Sequence, residues 1–336
     1  MGAKMMQNGD VIQRTLTIEK KKGYPILFLQ PVLKSMVWGG ERLRTDFGYD
    51  TLESHLGECW GISAHPNGDC QILNVEYSGK TLSRMWQEEP GFFGKFHSSR
   101  FPLLTKIIDA KKDLSIQVHP DDVYAGEREY GSLGKMECWY VVDCPAKAEL
   151  VVGHEAASKE ELEQMVQQGK WKELLRRVPI APGDFIQIDP GTIHAITGGC
   201  LIVETQQNSD ITYRLYDYDR KVDGKPRELH IQQSLDVIQV PSPSVEDSVQ
   251  HTQEQPKNYW KSLVDCQYYQ VYKLELAGSL TFTHNETFFN VTVVEGQGRV
   301  DGIPVEKGEH FIIPAIYGKV RVEGNMTLLA SDAKDA

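Results

Sequence analysis

Paired cysteines, long apolar runs and a surplus of positive charge are all missing from this chain of 336 residues. The six cysteines, at 59, 70, 138, 144, 200 and 266, include no C-x-x-C pair. A disulfide framework is therefore not expected, and reduced thiols in a cytoplasmic protein are the simplest account. No apolar run approaches the ~20 residues of a membrane span. The IEKKKG stretch near the start interrupts any signal-like segment, so residues 1–24 are expected to form a loose extension. The net charge is −11, whereas a nucleic-acid protein would need a basic face. An anionic small molecule is not excluded, because a few local cations can hold one phosphate whatever the global charge. No Gly-rich phosphate loop is visible either, so phosphate contacts would have to come from side chains.

What is present is a soluble globular composition, 40% hydrophobic and 25% charged. Most of the chain consists of short β-like runs broken by Gly and Pro, the pattern of a β-sandwich or barrel. Residues 81–88 read as a short helix, with Leu82, Met85 and Trp86 at helical spacing. Residues 158–178 read as a helical insertion that opens on a capping box, Ser158 with Glu161. Gly169 is expected to divide it into two helices. The polar run 241–256 reads as a linker, and short strands resume beyond it. The text GDFIQIDP from Gly183 is echoed by GEHFIIP from Gly308, which implies two related β units.

Chemistry concentrates between residues 114 and 138. In an extended strand Gln117 and His119 share one face, while Leu114, Ile116 and Val118 take the other. Glu137 follows in MECWYVVD and His194 in DPGTIHAI. One amide oxygen, two imidazoles and one carboxylate form a mixed set suited to zinc or a similar divalent ion. A strand histidine can equally be a hydrogen-bonded structural residue, and Gln117 can orient a neighbour instead of ligating. Lys135 lies two residues before Glu137, on the same strand face. Arg214, in ITYRLYDYDR, shares a face with Thr212 and Tyr216 or, alternatively, pairs with Asp217 or Asp219 at the surface. Lys106 is the one cation of FPLLTKII, and Glu204 lies in LIVETQQ.

QVHPDD, GKMECWYVV and PGTIHAI, in this order, resemble the metal-site segments of the type I mannose-6-phosphate isomerases in their short bacterial form. The resemblance runs from about Pro31 to the C-terminus. It implies a mainly β, double jelly-roll (cupin) fold with a small helical insertion. Residues 25–240 would form the catalytic roll, and 257–330 a second roll without ligands. It further implies one Zn2+ per chain, held by Gln117, His119, Glu137 and His194. Arg214 and Lys135 would be catalytic, and Lys106 and Glu204 would contact substrate, with Glu204 binding a hydroxyl or pairing with Arg214. The activity implied is the interconversion of mannose 6-phosphate and fructose 6-phosphate through an enediol.

The long eukaryotic and enteric form has His-Lys-Pro-Glu where this chain has Gly134-Lys135-Met136-Glu137, so any role of that extra His lacks a counterpart here. The expected partner is a small sugar phosphate, with no nucleic acid or membrane, in a monomer or weak homodimer. The rivals are a cupin oxidoreductase with non-haem iron and a non-catalytic sugar-phosphate-binding regulator.

Overall fold

A computed structural model describes residues 23–222, 224–252 and 256–335. The expected extension 1–24 lies almost wholly outside the described residues, as do positions 253–255 of the expected linker. The fold is mainly β, a double jelly roll with a small helical insertion. Among the described residues no helix is long and apolar enough to cross a membrane.

The first roll is a sandwich of two antiparallel sheets. The five-stranded sheet runs in the order Leu175–Pro179, Glu149–His154, His194–Ala195, Ile116–Val118, Tyr213–Tyr216. The seven-stranded sheet runs Val249–Gln250, Phe185–Ile188, Glu137–Asp143, Leu201–Gln207, Leu103–Asp109, Leu56–Ile62, Val32–Gly40. Leu150, Val152, Val178 and Ile196 from one side meet Trp139, Val141, Ile186, Ile202 and Ile108 from the other in a single buried cluster. Strand alternation then turns Ile116, Val118, Tyr213 and Leu215 outward, where Leu162, Val166 and Leu174 of the helical insertion cover them.

The insertion is shorter than its sequence pattern. Helices Lys159–Gln167 and Trp171–Leu174 are followed at once by strand Leu175–Pro179, which pairs with Glu149–His154. The expected helix to residue 178 is corrected accordingly. Val178 is buried through sheet pairing, and Pro179 closes the segment where a helix could not continue.

The second roll curls one sheet round its own core of Phe28, Leu274, Val291, Val293, Phe311, Val320, Val322 and Leu328. Its two longest strands, Tyr269–His284 and Gly318–Ala333, pair along their whole length. Two boundaries differ from expectation. Strand Leu27–Gln30, placed by sequence in the first roll, hydrogen-bonds to His310–Ile313 of the second. The expected linker contributes helix Val245–Ser248 and strand Val249–Gln250, which pairs with Phe185–Ile188. Both segments are too short to announce a partner on their own, and long-range pairing assigns them.

The outer face of the seven-stranded sheet packs on the second roll. Cys138, Tyr140, Phe185 and Val203 join Leu27, Leu29, Tyr269, Val271, Ile312 and Leu329 in one cluster. That sheet is therefore buried on both faces, and it carries Glu137, Lys106 and Glu204. The internal echo is also physical. Gly183 and Gly308 both take left-handed backbone, with φ of 94° and 89°, just before their strands. The acid that follows each accepts the amide three residues back, Ala181 to Asp184 and Glu306 to Glu309.

Candidate metal centre and active site

Four chain segments meet inside the first roll. His194 stands directly opposite Gln117, and Arg214 faces Gln117 from the other flank. Directly paired residues project to the same face of a sheet, so His194, Gln117 and Arg214 share the interior. Glu137 reaches the same point from the facing sheet. The side chains of His119, Glu137 and His194 are almost completely buried, and their ligand atoms all lie within 4.8 Å of one another.

Each imidazole is oriented from behind. His119 Nδ1 lies 2.8 Å from the carbonyl of Ile211, and His194 Nδ1 lies 2.9 Å from that of Thr192. A carbonyl only accepts, so each Nδ1 carries the proton and each Nε2 presents a lone pair inward. Burial lowers the His119 pKa to about 3, with the Lys135 ammonium adding to the effect. His194 is lowered by burial as well. Both rings are thus neutral, and their approach to Glu137 is not an ion pair.

The inward atoms are close. His119 Nε2 is 3.1 Å from His194 Nε2 and 3.4 Å from Glu137 Oε2, while His194 Nε2 is 3.2 Å from Glu137 Oε1. Glu137 Oε1 is buried with no hydrogen-bond donor among the described residues. His119 Nε2 and Glu137 Oε2 meet the Lys135 ammonium, but His194 Nε2 and Glu137 Oε1 face each other with no proton between them and repel unless a cation lies there. Ligands ~2.0–2.1 Å from a tetrahedral zinc stand roughly 3.3 Å apart, and the observed separations match. The residues present therefore fit a divalent ion. The Gln117 amide lies 3.3 Å from His194 Nε2, and turning it through half a rotation presents its oxygen there.

Lys135 adjoins this set. Its Nζ lies 3.0 Å from His119 Nε2 and contacts Glu137 Oε2. Burial alone would raise the Glu137 pKa. The Lys135 ammonium more than offsets this and holds the carboxyl well below its usual range.

Beyond Lys135, Glu204 Oε1 is 4.0 Å from Lys135 Nζ and 3.1 Å from Lys106 Nζ, and Glu204 Oε2 accepts the Trp139 indole N–H at 2.9 Å. Glu204 therefore pairs with Lys106, directly opposite it in the sheet, and the alternative of a pair with Arg214 is corrected. Burial would lower the Lys106 pKa, but Glu204 foremost and then Glu58 outweigh it and hold the ammonium charged. The Trp60 ring lies 5.1 Å from Lys106 Nζ and 3.5 Å from Lys34 Nζ.

Arg214 is half-buried. One guanidinium nitrogen donates to the Glu228 carbonyl at 2.9 Å, while its Nε is a buried donor without a partner among the described residues. Burial lowers its pKa, aided by Arg227. The alternative pairing with Asp217 does not form, because Asp217 is taken by Arg220 and Arg227.

The structure thus brings together seven of the eight candidates, Gln117, His119, Lys135, Glu137, His194, Glu204 and Lys106, in one continuous set of contacts, with Arg214 beside Gln117. Sequence reasoning missed Lys34 and Trp60. It also missed the carbonyls of Thr192 and Ile211, which no residue type can announce.

The chain is similar to known proteins over most of its length. A family model described as "Phosphomannose isomerase type I, catalytic domain" matches residues 26–142, and one described as "Mannose-6-phosphate isomerase, cupin domain" matches 260–333. The mannose-6-phosphate isomerase ManA of Bacillus subtilis is 47% identical over 310 residues, covering 91% of this chain and 98% of the relative. The mannose-6-phosphate isomerase of Streptococcus mutans is 43% identical, covering 92% and 98%. A crystal structure of the mannose 6-phosphate isomerase from Bacillus subtilis superimposes with a TM-score of 0.86 at 45% identity, covering 91% of this chain and 99% of that one. With fold and sequence in agreement, this chain belongs to the type I mannose-6-phosphate isomerase family.

Proposed function

We propose that the protein interconverts mannose 6-phosphate and fructose 6-phosphate by moving a proton between C1 and C2 through an enediol. The observation that carries this reading is the convergence of the His119, Glu137 and His194 lone pairs beside Lys135 and Arg214. A weak carbon acid needs a proton-transferring group, stabilisation of the developing oxyanion and a hold on the phosphate. His119, Glu137 and His194, with Gln117 as fourth ligand, would hold Zn2+, which when bound polarises a substrate oxygen.

Lys135 is assigned the proton transfer, taking the proton from one carbon as the neutral amine and returning it to the other as the ammonium, since its Nζ lies within hydrogen-bond reach of the ligand atoms. Arg214 stays charged at every working pH and offers its unpaired Nε–H to an enediolate or phosphate oxygen. Glu204 fixes the charged Lys106 through their buried pair, and both are assigned to substrate contact. Trp139, 5.4 Å from the His194 ring, helps exclude water on that side.

The described cysteines are all free, which supports a reducing, cytoplasmic setting. The most exposed apolar side chains, Leu52, Val123, Tyr130 and Ile316, fall in three separate segments, with Val123 and Tyr130 on and just past helix Asp122–Arg128, which supports a monomer or weak homodimer. The test is a coupled assay of fructose 6-phosphate formation with chelator and with zinc restored. Turnover lost to chelator and regained with zinc is expected. Chelator-resistant turnover would remove the metal from the account, and oxygen uptake in place of isomerisation would favour the iron oxidoreductase.

A further inference from the structure

Asp122 has no place among the proposed ligands or catalytic groups, yet it is tied to both segments that carry them. It begins helix Asp122–Arg128 just after His119 and Pro120. One of its oxygens accepts the Gly134 amide at 2.7 Å, next to Lys135. Gln207 donates to both its oxygens, at 3.0 and 3.4 Å. The same Gln207 side chain accepts the Met136 amide at 2.9 Å, between Lys135 and Glu137. The Lys135 amide donates to the Pro120 carbonyl at 3.0 Å. Every amide from Gly134 to Met136 is thus held by the segment after His119, by Asp122 itself, or by a side chain that Asp122 orients. Gly134 has no room for a Cβ, which would run into the backbone of Asp121 and Asp122.

The remaining partner of Asp122 comes from the other roll. Tyr268 donates its hydroxyl to Asp122 Oδ2 at 2.6 Å. It lies between strands Trp260–Asp265 and Tyr269–His284, and its carbonyl accepts the Lys334 amide at 2.9 Å. The second roll supplies none of the clustered ligands, but through this hydroxyl it reaches the carboxylate that fixes the Lys135–Glu137 segment.

We propose that Asp122, latched by Tyr268, is a positioning residue that sets Lys135 and Glu137 against His119, so that the second jelly roll takes part in catalysis through one hydrogen bond. The proposal rests on the isomerase reading for its kinetic readout and not for its zinc readout. Small displacements are costly in such a site, since ~1 Å can reduce rate on the order of a hundredfold.

The test compares Tyr268→Phe, Asp122→Asn and the double variant as zinc-loaded proteins, each shown to be folded by circular dichroism. Tyr268→Phe is expected to lower kcat about tenfold with KM little changed, and to weaken zinc binding by roughly tenfold in a chelator competition. Asp122→Asn should lose more. Adding Tyr268→Phe to Asp122→Asn should cost nothing further, because the tyrosine acts through the carboxylate. A folded Tyr268→Phe protein with unaltered kcat and zinc affinity overturns the proposal, as do independent, multiplicative losses in the double variant. If the parent protein does not isomerise mannose 6-phosphate, the functional reading fails, while the zinc competition still decides the positioning.

Discussion

At His119 and His194 the decisive hydrogen bond is the one facing away from the site. The carbonyls of Ile211 and Thr192 fix the tautomer of each ring, so both Nε2 atoms arrive unprotonated beside Glu137. His119→Ala or His194→Ala is therefore expected to lose bound zinc and turnover together while the fold persists, as read by metal analysis and circular dichroism. Full activity in a metal-free His194→Ala protein would refute the site. Arg214→Ala should lower kcat/KM more than tenfold, or over ~1.4 kcal/mol, and an unchanged value would place Arg214 outside the chemistry. At this scale much was legible. Strand alternation alone put Gln117 and His119 on one face. The pairing of Lys106 with Glu204 was not legible, because it depends on the register of two strands about a hundred positions apart in the chain.

Among the elements, helix Lys159–Gln167 shows what local sequence can and cannot dictate. Ser158 accepts the Glu161 amide at 3.2 Å, as the capping box required, but Glu161 reaches back to the amide of Ala157 rather than to that of Ser158. Ser158→Ala should destabilise the protein by about 1 kcal/mol, measured in a urea titration, and leave kcat unchanged, since the helix covers the outer face of the five-stranded sheet. The apolar spacing of Trp171, Leu174, Leu175 and Val178 continued the helical pattern, yet Leu175–Pro179 became an edge strand. Spacing records which residues are buried, and it does not record whether a helix groove or a sheet neighbour buries them. A different signal, the polar composition of 241–256, made a linker of a segment that completes the seven-stranded sheet.

Between the two rolls, His310 is a buried junction residue. Its Nδ1 lies 2.9 Å from the Thr292 hydroxyl and its Nε2 3.0 Å from that of Tyr49, and its ring rests on Gly61. Burial lowers its pKa to about 3, far below the ~6.5 of an unfolded histidine. The unfolded chain therefore binds the proton first, and stability contributed at neutral pH is lost progressively as pH falls from about 6.5 toward 3. The melting temperature should drop across that window, and His310→Gln should flatten the drop; equal slopes would discount the junction. Gly61→Ala forces a methyl into the His310 ring and should cost on the order of 2–3 kcal/mol. Neither contact was legible, because His310 and Gly61 belong to different rolls and the text of each gives no hint of the other.

The pairing of Leu27–Gln30 with His310–Ile313 makes the chain's beginning wait for its end. As the polypeptide leaves the ribosome, the strand that emerges early can pair with Gln71–Ile72 along one edge, but its other edge finds a neighbour only when residues near 310 are made. Until then one face of the catalytic roll's larger sheet is bare and sticky. A polypeptide stopped at residue 256 should accordingly precipitate or recruit chaperones rather than yield a small working enzyme, and premature termination late in the message would cost the cell the whole activity.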